Sequence, residues 1–278
     1  MKRTFVIAEA AACHDGELKK ALSLCDFAKR ADCDAVKFQY TSSPEKLAAR
    51  RRASAYLEAY RLLAFPREWF AILRDWCDAL DIEFMCTVYI PEDVAVVTPY
   101  ISRFKVASFE ATDAAFLEAH RGGDPDAPHQ VYRKPMIVST GMMRHEEVWP
   151  RLRGVLRPGD AILHCVSAYP APESEMNLRA IRALWMFGDG IGVGFSDHSR
   201  HAWTGALAVA AGADVIEFHV RLSDTAESNA DYAVARVGGE ALIYVENIRF
   251  AETTLGDGVK RAMPSETAML GYRVGMAR

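Results

Sequence analysis

The chain has 278 residues, half of them hydrophobic, with 33 basic and 37 acidic side chains and a net charge of −4. A chain of this size buries a substantial core, and its balanced charge argues against nucleic acid or a membrane surface as a partner. No apolar run approaches the roughly 20 residues that span a bilayer, so small molecules are the expected partners.

The opening MKRTFVIAEAAAC mimics a lipoprotein signal, but Glu9 interrupts an already short apolar run, and TFVIAE (4–9) reads as a first strand. A helix is predicted over 17–31 and a second strand, DAVKFQ, over 34–39. The stretch 40–65 is the one oversized connection and carries Arg50, Arg51 and Arg52. A solvated helix face is the plain reading of that triplet, and a cover over an active site is the other. A helix over 66–80 leads to the strand IEFMCT (82–87), and the connection near 91–98 offers one or two helical turns. Strands RFKVAS (103–108), PMIVST (135–140), AILHCVS (161–167), IGVGFS (191–196) and DVIEFH (214–219) follow. Predicted helices over 112–120, 145–153, 177–187, 199–212 and 239–255 separate and close them.

Strands alternating with helices imply parallel βαβ units, and eight of them without a dividing linker fit a single (β/α)8 TIM barrel over residues 1–278. The six cysteines at 13, 25, 33, 77, 86 and 165 form no CxxC pair, which suits reduced buried thiols and a cytoplasmic location.

Catalytic groups of such barrels sit where the strands end. Those ends read Glu9, Lys37 with Gln39, Thr87, Lys105 with Ser108, Ser139 with Thr140, Ser167 with Tyr169, Ser196-Asp197-His198, and Glu217 with His219. Two lysines aimed into one mouth are costly to desolvate without an anion between them. The hydroxyls of Thr87, Ser108, Ser139, Ser167 and Ser196 add neutral donors. For Ser139 and Ser196, helix capping is the plain alternative, since each precedes a predicted helix. His198 and His219 end adjacent strands, where two imidazoles can share a Mn²⁺, Zn²⁺ or Fe²⁺ ion with Glu9 or Glu217 nearby. His14 follows the first strand and is a candidate for the same mouth, whereas His120, His129, His145 and His201 read as surface residues.

FVIAEAAACHDGELKKAL, AVKFQ, FKVAS-x-E, PMIVSTGM, LHCVSAYPAPESEMNLRAI, GFSDHS and GADVIEFHV, in this order and spacing, resemble the sialic acid synthase (N-acetylneuraminate synthase) family. The resemblance implies a (β/α)8 barrel that condenses phosphoenolpyruvate with an open-chain aldose such as N-acetylmannosamine, releasing phosphate and needing a divalent cation, usually Mn²⁺. It implies metal ligation by His198 and His219, and phosphoenolpyruvate held by Lys37, Thr87, Lys105, Ser108, Ser139, Ser167 and Ser196. Gln39, Tyr169 and Asp231 would face the sugar, Glu9 or Glu110 would act as general base, and a homodimer is expected. Asp197 would orient the turn or a group behind the metal.

The chain departs from the family pattern in three places. Ala11 and Cys13 stand where the first motif usually has glycine and asparagine, and Ala230-Asp231-Tyr232 replaces Pro-Asp-His. The segment at about 259–278 resembles the linker to a small C-terminal antifreeze-like domain whose arginine completes the sugar site. The Arg50–Arg52 triplet is then expected to cover the mouth instead and to favour an anionic acceptor over N-acetylmannosamine. A metal-dependent sugar isomerase or epimerase is the rival enzyme class, and a degenerate non-catalytic barrel the rival outside enzymes. The paired lysines and retained histidines speak against both.

Overall fold

In the computed structural model, which describes residues 3–122, 132–185 and 190–274, eight parallel strands close into a barrel with β1 hydrogen-bonded to β8. They are β1 (Phe5–Ala11), β2 (Ala35–Tyr40), β3 (Glu83–Val88), β4 (Phe104–Val106), β5 (Met136–Ser139), β6 (Ala161–Cys165), β7 (Gly192–Asp197) and β8 (Val215–Arg221). The surrounding helices are α1 (Leu18–Arg30), α2 (Pro44–Arg51), α3 (Leu57–Arg61), α4 (Trp69–Leu80), α5 (Pro91–Val97), α6 (Ala114–Ala119), α7 (His145–Leu152), α8 (Ala180–Leu184), α9 (Thr204–Ala210) and α10 (Gly239–Leu255). A short ninth strand, Arg236–Val237, extends the edge of β8.

Alternation along each strand makes two cores. Outward residues such as Val36, Phe38, Phe84, Phe104, Val138, Phe195 and Phe218 pack under the helices. Inward residues Ile7, Ala35, Met85, Ile137, Ala161, Leu163 and Val215 fill the barrel as a separate apolar plug. The next inward positions are polar, because the strand period of two returns the same face to the lumen. Register makes them neighbours: Glu9 lies opposite Lys37 and His219, Thr87 opposite Lys105, and Ser196 opposite Glu217. A polar layer therefore rests on an apolar floor.

The oversized connection 40–65 folds into α2 and α3, with Ser43 capping the Lys46 N–H at 3.3 Å and Pro44 in the first turn. Strand β4 ends two residues before Ser108, and the chain then turns tightly, the Glu110 N–H reaching the Ala107 carbonyl at 3.1 Å. The helices expected over 199–212 and 177–187 are shorter than predicted. Asp197 holds the 197–204 segment in a hydrogen-bonded turn, and residues 186–189 lie outside the described chain, as does His129. Neither Ser139 nor Ser196 caps a helix, since α7 begins only at His145 and α9 at Thr204. All six cysteines are free and buried. Among the described residues, no helix is long and apolar enough to cross a membrane.

Candidate active site

The polar layer opens at the carboxyl ends of the strands, where Lys37 and Lys105 are 2% and 3% exposed. The Lys37 ammonium donates to Glu9 and, at 3.0 Å, to the Thr87 hydroxyl, and lies 3.6 Å from Glu217. Lys105 donates to the Ser139 hydroxyl at 2.7 Å and lies 3.7 Å from Glu217. Burial pushes the Lys37 ammonium down to about 8 against the pull of Glu217. Burial also pushes the Glu217 carboxyl up, but Lys105 and Lys37 more than offset it and hold it at about 2.

This pairing corrects the expectation that the lysines need an incoming anion to be tolerated. Glu9 and Glu217 already neutralise them, because parallel register sets the acids beside the bases, a relation that strand ends read singly do not reveal. An anionic ligand therefore competes with Glu9 for Lys37.

Beside Lys105 a cradle forms around Gly141, whose N–H donates to the Ser108 hydroxyl at 3.1 Å. A Cβ on Gly141 would collide with the Ser167 hydroxyl and lie 2.8 Å from Cys165 Sγ and 2.9 Å from Ser108 Oγ. Ser167 Oγ is buried without a hydrogen-bond partner, and Ser108 Oγ lies 3.1 Å from Cys165 Sγ. A buried unsatisfied hydroxyl in such a cradle is a place that a ligand oxygen completes.

The histidines occupy the opposite edge, their ring centres 5.4 Å apart, with the Tyr169 ring 4.2 Å from that of His198. His198 Nδ1 meets the Val166 carbonyl at 2.6 Å, and His219 Nδ1 lies 3.1 Å from Asp231 Oδ1. The His198 Nδ1 is thus tied down, which leaves its Nε2 for a cation, the usual arrangement behind a metal-bound imidazole, whereas the His219 Nδ1 faces Asp231 without a formed hydrogen bond. Burial first, and then the neighbouring His219, keep His198 neutral by lowering it to about 4. The pair fits a divalent cation with open positions. Glu9 and Glu217 do not join it, and among the described residues no group of three or more His, Cys, Asp or Glu is arranged to hold a metal. Both acids face the lysines instead.

Asp197, fully buried, accepts from the Ser199 N–H at 2.8 Å, Tyr244 Oη at 2.7 Å and Arg236 at 3.1 Å, and also from Thr204. It shapes the turn that carries His198. Ser196 donates to Glu217 at 3.0 Å and lies 3.4 Å from His198 Nε2, which places it between the two halves.

Gln39 and the loops make the rest of the mouth. Gln39 follows Lys37 on the same face of β2, opposite Thr87. Glu110, buried, receives both Arg51 donors at 2.8 and 2.9 Å, and Arg50 pairs with Asp113 at 2.6 Å. Arg50 and Arg51 are thereby neutralised, so they do not form the anion clamp expected of the triplet. Arg51 is not on a solvated face, being packed against Tyr89 and Phe109, whereas Arg50 and Arg52 are exposed as the plain reading has it. His14 does not reach the mouth: it is buried among Phe38, Phe65 and Trp69. His120 is buried too, its Nδ1 at 2.8 Å from the Phe116 carbonyl, rather than on the surface.

Sequence reasoning missed Tyr89, Cys165 and the Arg51–Glu110 pair. Tyr89 lies one residue past β3, and a polar side chain at a strand end was the available signal.

The NeuB family profile matches residues 24–260. An uncharacterised protein of Methanocaldococcus jannaschii is 34% identical over 95% of this chain and 75% of its own length. A pseudaminic acid synthase of Campylobacter jejuni is 32% identical over 92% of this chain and 76% of its own. The crystal structure of a sialic acid synthetase from Leptospira borgpetersenii, in complex with citrate, superposes with a TM-score of 0.85 at 26% identity, covering 99% of this chain and 93% of that one. With this profile match and a TIM barrel shared with a solved relative, the chain belongs to the NeuB family of nonulosonic acid synthases, phosphoenolpyruvate-condensing transferases.

Proposed function

We propose that this mouth condenses phosphoenolpyruvate with the aldehyde of an open-chain aldose, N-acetylmannosamine or a related sugar, to give a 2-keto-3-deoxy sugar acid and phosphate. The observation that carries the reading is the dry floor. Two buried lysines contact the Thr87 and Ser139 hydroxyls in one layer with Glu217 between them, and the unpartnered Ser167 hydroxyl meets Ser108 at Gly141. Such a site suits a small, highly charged anion, and an isomerase of an unphosphorylated sugar has no use for it.

In this reading Lys37, Thr87, Lys105, Ser108, Ser139, Ser167 and Ser196 hold phosphoenolpyruvate, while Gln39, Tyr169 and Asp231 face the sugar. His198 and His219 hold a divalent cation, most suitably Mn²⁺, which when bound supplies Lewis acidity at the aldehyde oxygen. The enol carbon forms the new bond to the aldehyde carbon, water adds at C2, and phosphate leaves by C–O cleavage. Glu9 or Glu110 takes the proton of that water. Since Arg50 and Arg51 are spent on Asp113 and Glu110, the acceptor they leave room for is a neutral aldose. The test offers phosphoenolpyruvate, Mn²⁺ and a panel of aldoses while phosphate is followed. Aldose-dependent release supports the proposal, and conversion of an aldose without phosphoenolpyruvate would establish the isomerase instead.

A further inference from the structure

The segment lying over the mouth carries a cation with a defined target. Helix α2 ends on Arg51, just before the left-handed Arg52. The Arg51 guanidinium sits 4.5 Å from the Tyr89 ring centre, 4.8 Å from that of Phe109 and 5.7 Å from that of Tyr60. Three rings around a planar guanidinium restrict its orientation, and the two-point contact passes that restriction to the Glu110 carboxylate. Glu110 is 2% exposed, too deep to remain ionised without a cation in contact.

We propose that Arg51 is a positioning residue of the condensation: α2 docks over the mouth through Arg51 and thereby sets Glu110, as a carboxylate, on the acceptor side. The proton acceptor is then complete only while the cover is down. This deepens, and rests on, the synthase reading above, and it assigns the proton-accepting role to Glu110 because Glu110 sits under the cover, whereas Glu9 belongs to the lysine floor, its Oε2 against Lys37.

The electrostatics follow the geometry. Burial raises the Glu110 carboxyl, and Arg51 draws it back. The charged and titratable groups facing it are Arg51 and Arg50 from α2, Lys105 from β4 and Tyr89 from the end of β3. Removing Arg51 raises the carboxyl further, so less of it is ionised at a given pH, and the acid limb of kcat moves to higher pH. The lysine floor is untouched, so KM for phosphoenolpyruvate holds.

The experiment compares the whole chain with Arg51→Met, Arg51→Lys, Glu110→Gln and the Met/Gln double variant. It reads kcat against pH, KM for phosphoenolpyruvate, and amide hydrogen exchange over residues 44–61 without substrate. Arg51→Met is expected to lower kcat by roughly tenfold or more, move the acid limb up by about one pH unit, and leave KM for phosphoenolpyruvate within about twofold. Arg51→Lys, which keeps the charge but loses the two-point hold, should recover part of the rate. Arg51→Met should cost little in a Glu110→Gln background, and each single variant should quicken exchange over 44–61. An unmoved limb, additive losses in the double variant, or exchange unchanged in both singles overturns the proposal. If wild-type protein releases phosphate with no aldose, the synthase reading fails, and the exchange comparison still decides whether Arg51 docks the cover. Should the Met variant not fold, the neutral Arg51→Gln takes its place and is read for the same limb shift.

Discussion

The two halves of the mouth are made differently. On the side proposed for phosphoenolpyruvate, Glu9, Lys37, Thr87, Lys105, Ser139, Ser196 and Glu217 are buried strand residues locked by parallel register, with Ser108 and Ser167 just beyond strand ends. On the acceptor side, Arg51, Tyr89, Glu110, Tyr169 and Asp231 lie at or beyond the ends of strands and helices. A group on a barrel strand moves only if the sheet moves, whereas a loop group is held by a few side-chain contacts. The floor is therefore suited to the substrate that stays the same, and the loops to the one that varies. Relatives that make pseudaminic and sialic acids fit that division.

The largest expected break in this comparison comes from the floor. Lys105→Ala or Lys37→Ala removes a cation and leaves Glu217 or Glu9 buried without it, facing the incoming anion. Phosphoenolpyruvate binding should weaken by roughly 2–5 kcal/mol, read by calorimetry, with the acceptor's KM changing far less. Equal damage to both substrates would mean that the two halves are not separate.

How much of this was legible in the sequence follows the same division. Short runs rich in Val, Ile and Phe between amphipathic stretches announced eight strands with polar residues at their ends, and the strands lie within a few residues of their predicted places. Register was not legible, so Glu9 and Lys37 were read as separate groups although they are directly opposite. Loop contacts were less legible still: nothing local in Arg50-Arg51-Arg52 says that one arginine reaches a carboxylate 59 residues away. His14 and His120 misled because aromatic burial is settled by rings brought in from other elements, Trp69 of α4 for His14 and Phe104 of β4 for His120.

A smaller effect concerns the histidine edge. His198→Ala should lower Mn²⁺ affinity by at least the roughly 10–100-fold that changes behind a metal ligand produce, read by direct titration, while phosphoenolpyruvate affinity measured without metal stays near wild type. Parallel loss of both would tie the metal to the floor. The floor has its own pH signature. Burial lowers Lys37 to about 8, and the ammonium is the form that attracts an anion, so phosphoenolpyruvate affinity of the free enzyme should fall as pH rises through about 8. A flat profile from pH 7 to 9 would remove Lys37 from the seat.

The smallest expected effect is at Ala11, which adopts φ +48° where β1 bulges, and where the family pattern has glycine. The left-handed conformation costs an alanine about 1–2 kcal/mol, and glycine returns part of that as unfolded-state entropy. Ala11→Gly should therefore raise stability by about 1 kcal/mol or less, measured by denaturant titration, and should leave both substrates' binding alone.

The account's central claim is that one mouth joins phosphoenolpyruvate to an aldehyde by C–O cleavage. Phosphoenolpyruvate carrying ¹⁸O at the bridging oxygen tests it most directly, with the aldose that supports phosphate release and both products analysed by mass spectrometry. The account predicts the label in phosphate, with the C2 oxygen of the sugar acid coming from water. Label retained at C2 of the product would show P–O cleavage and contradict it.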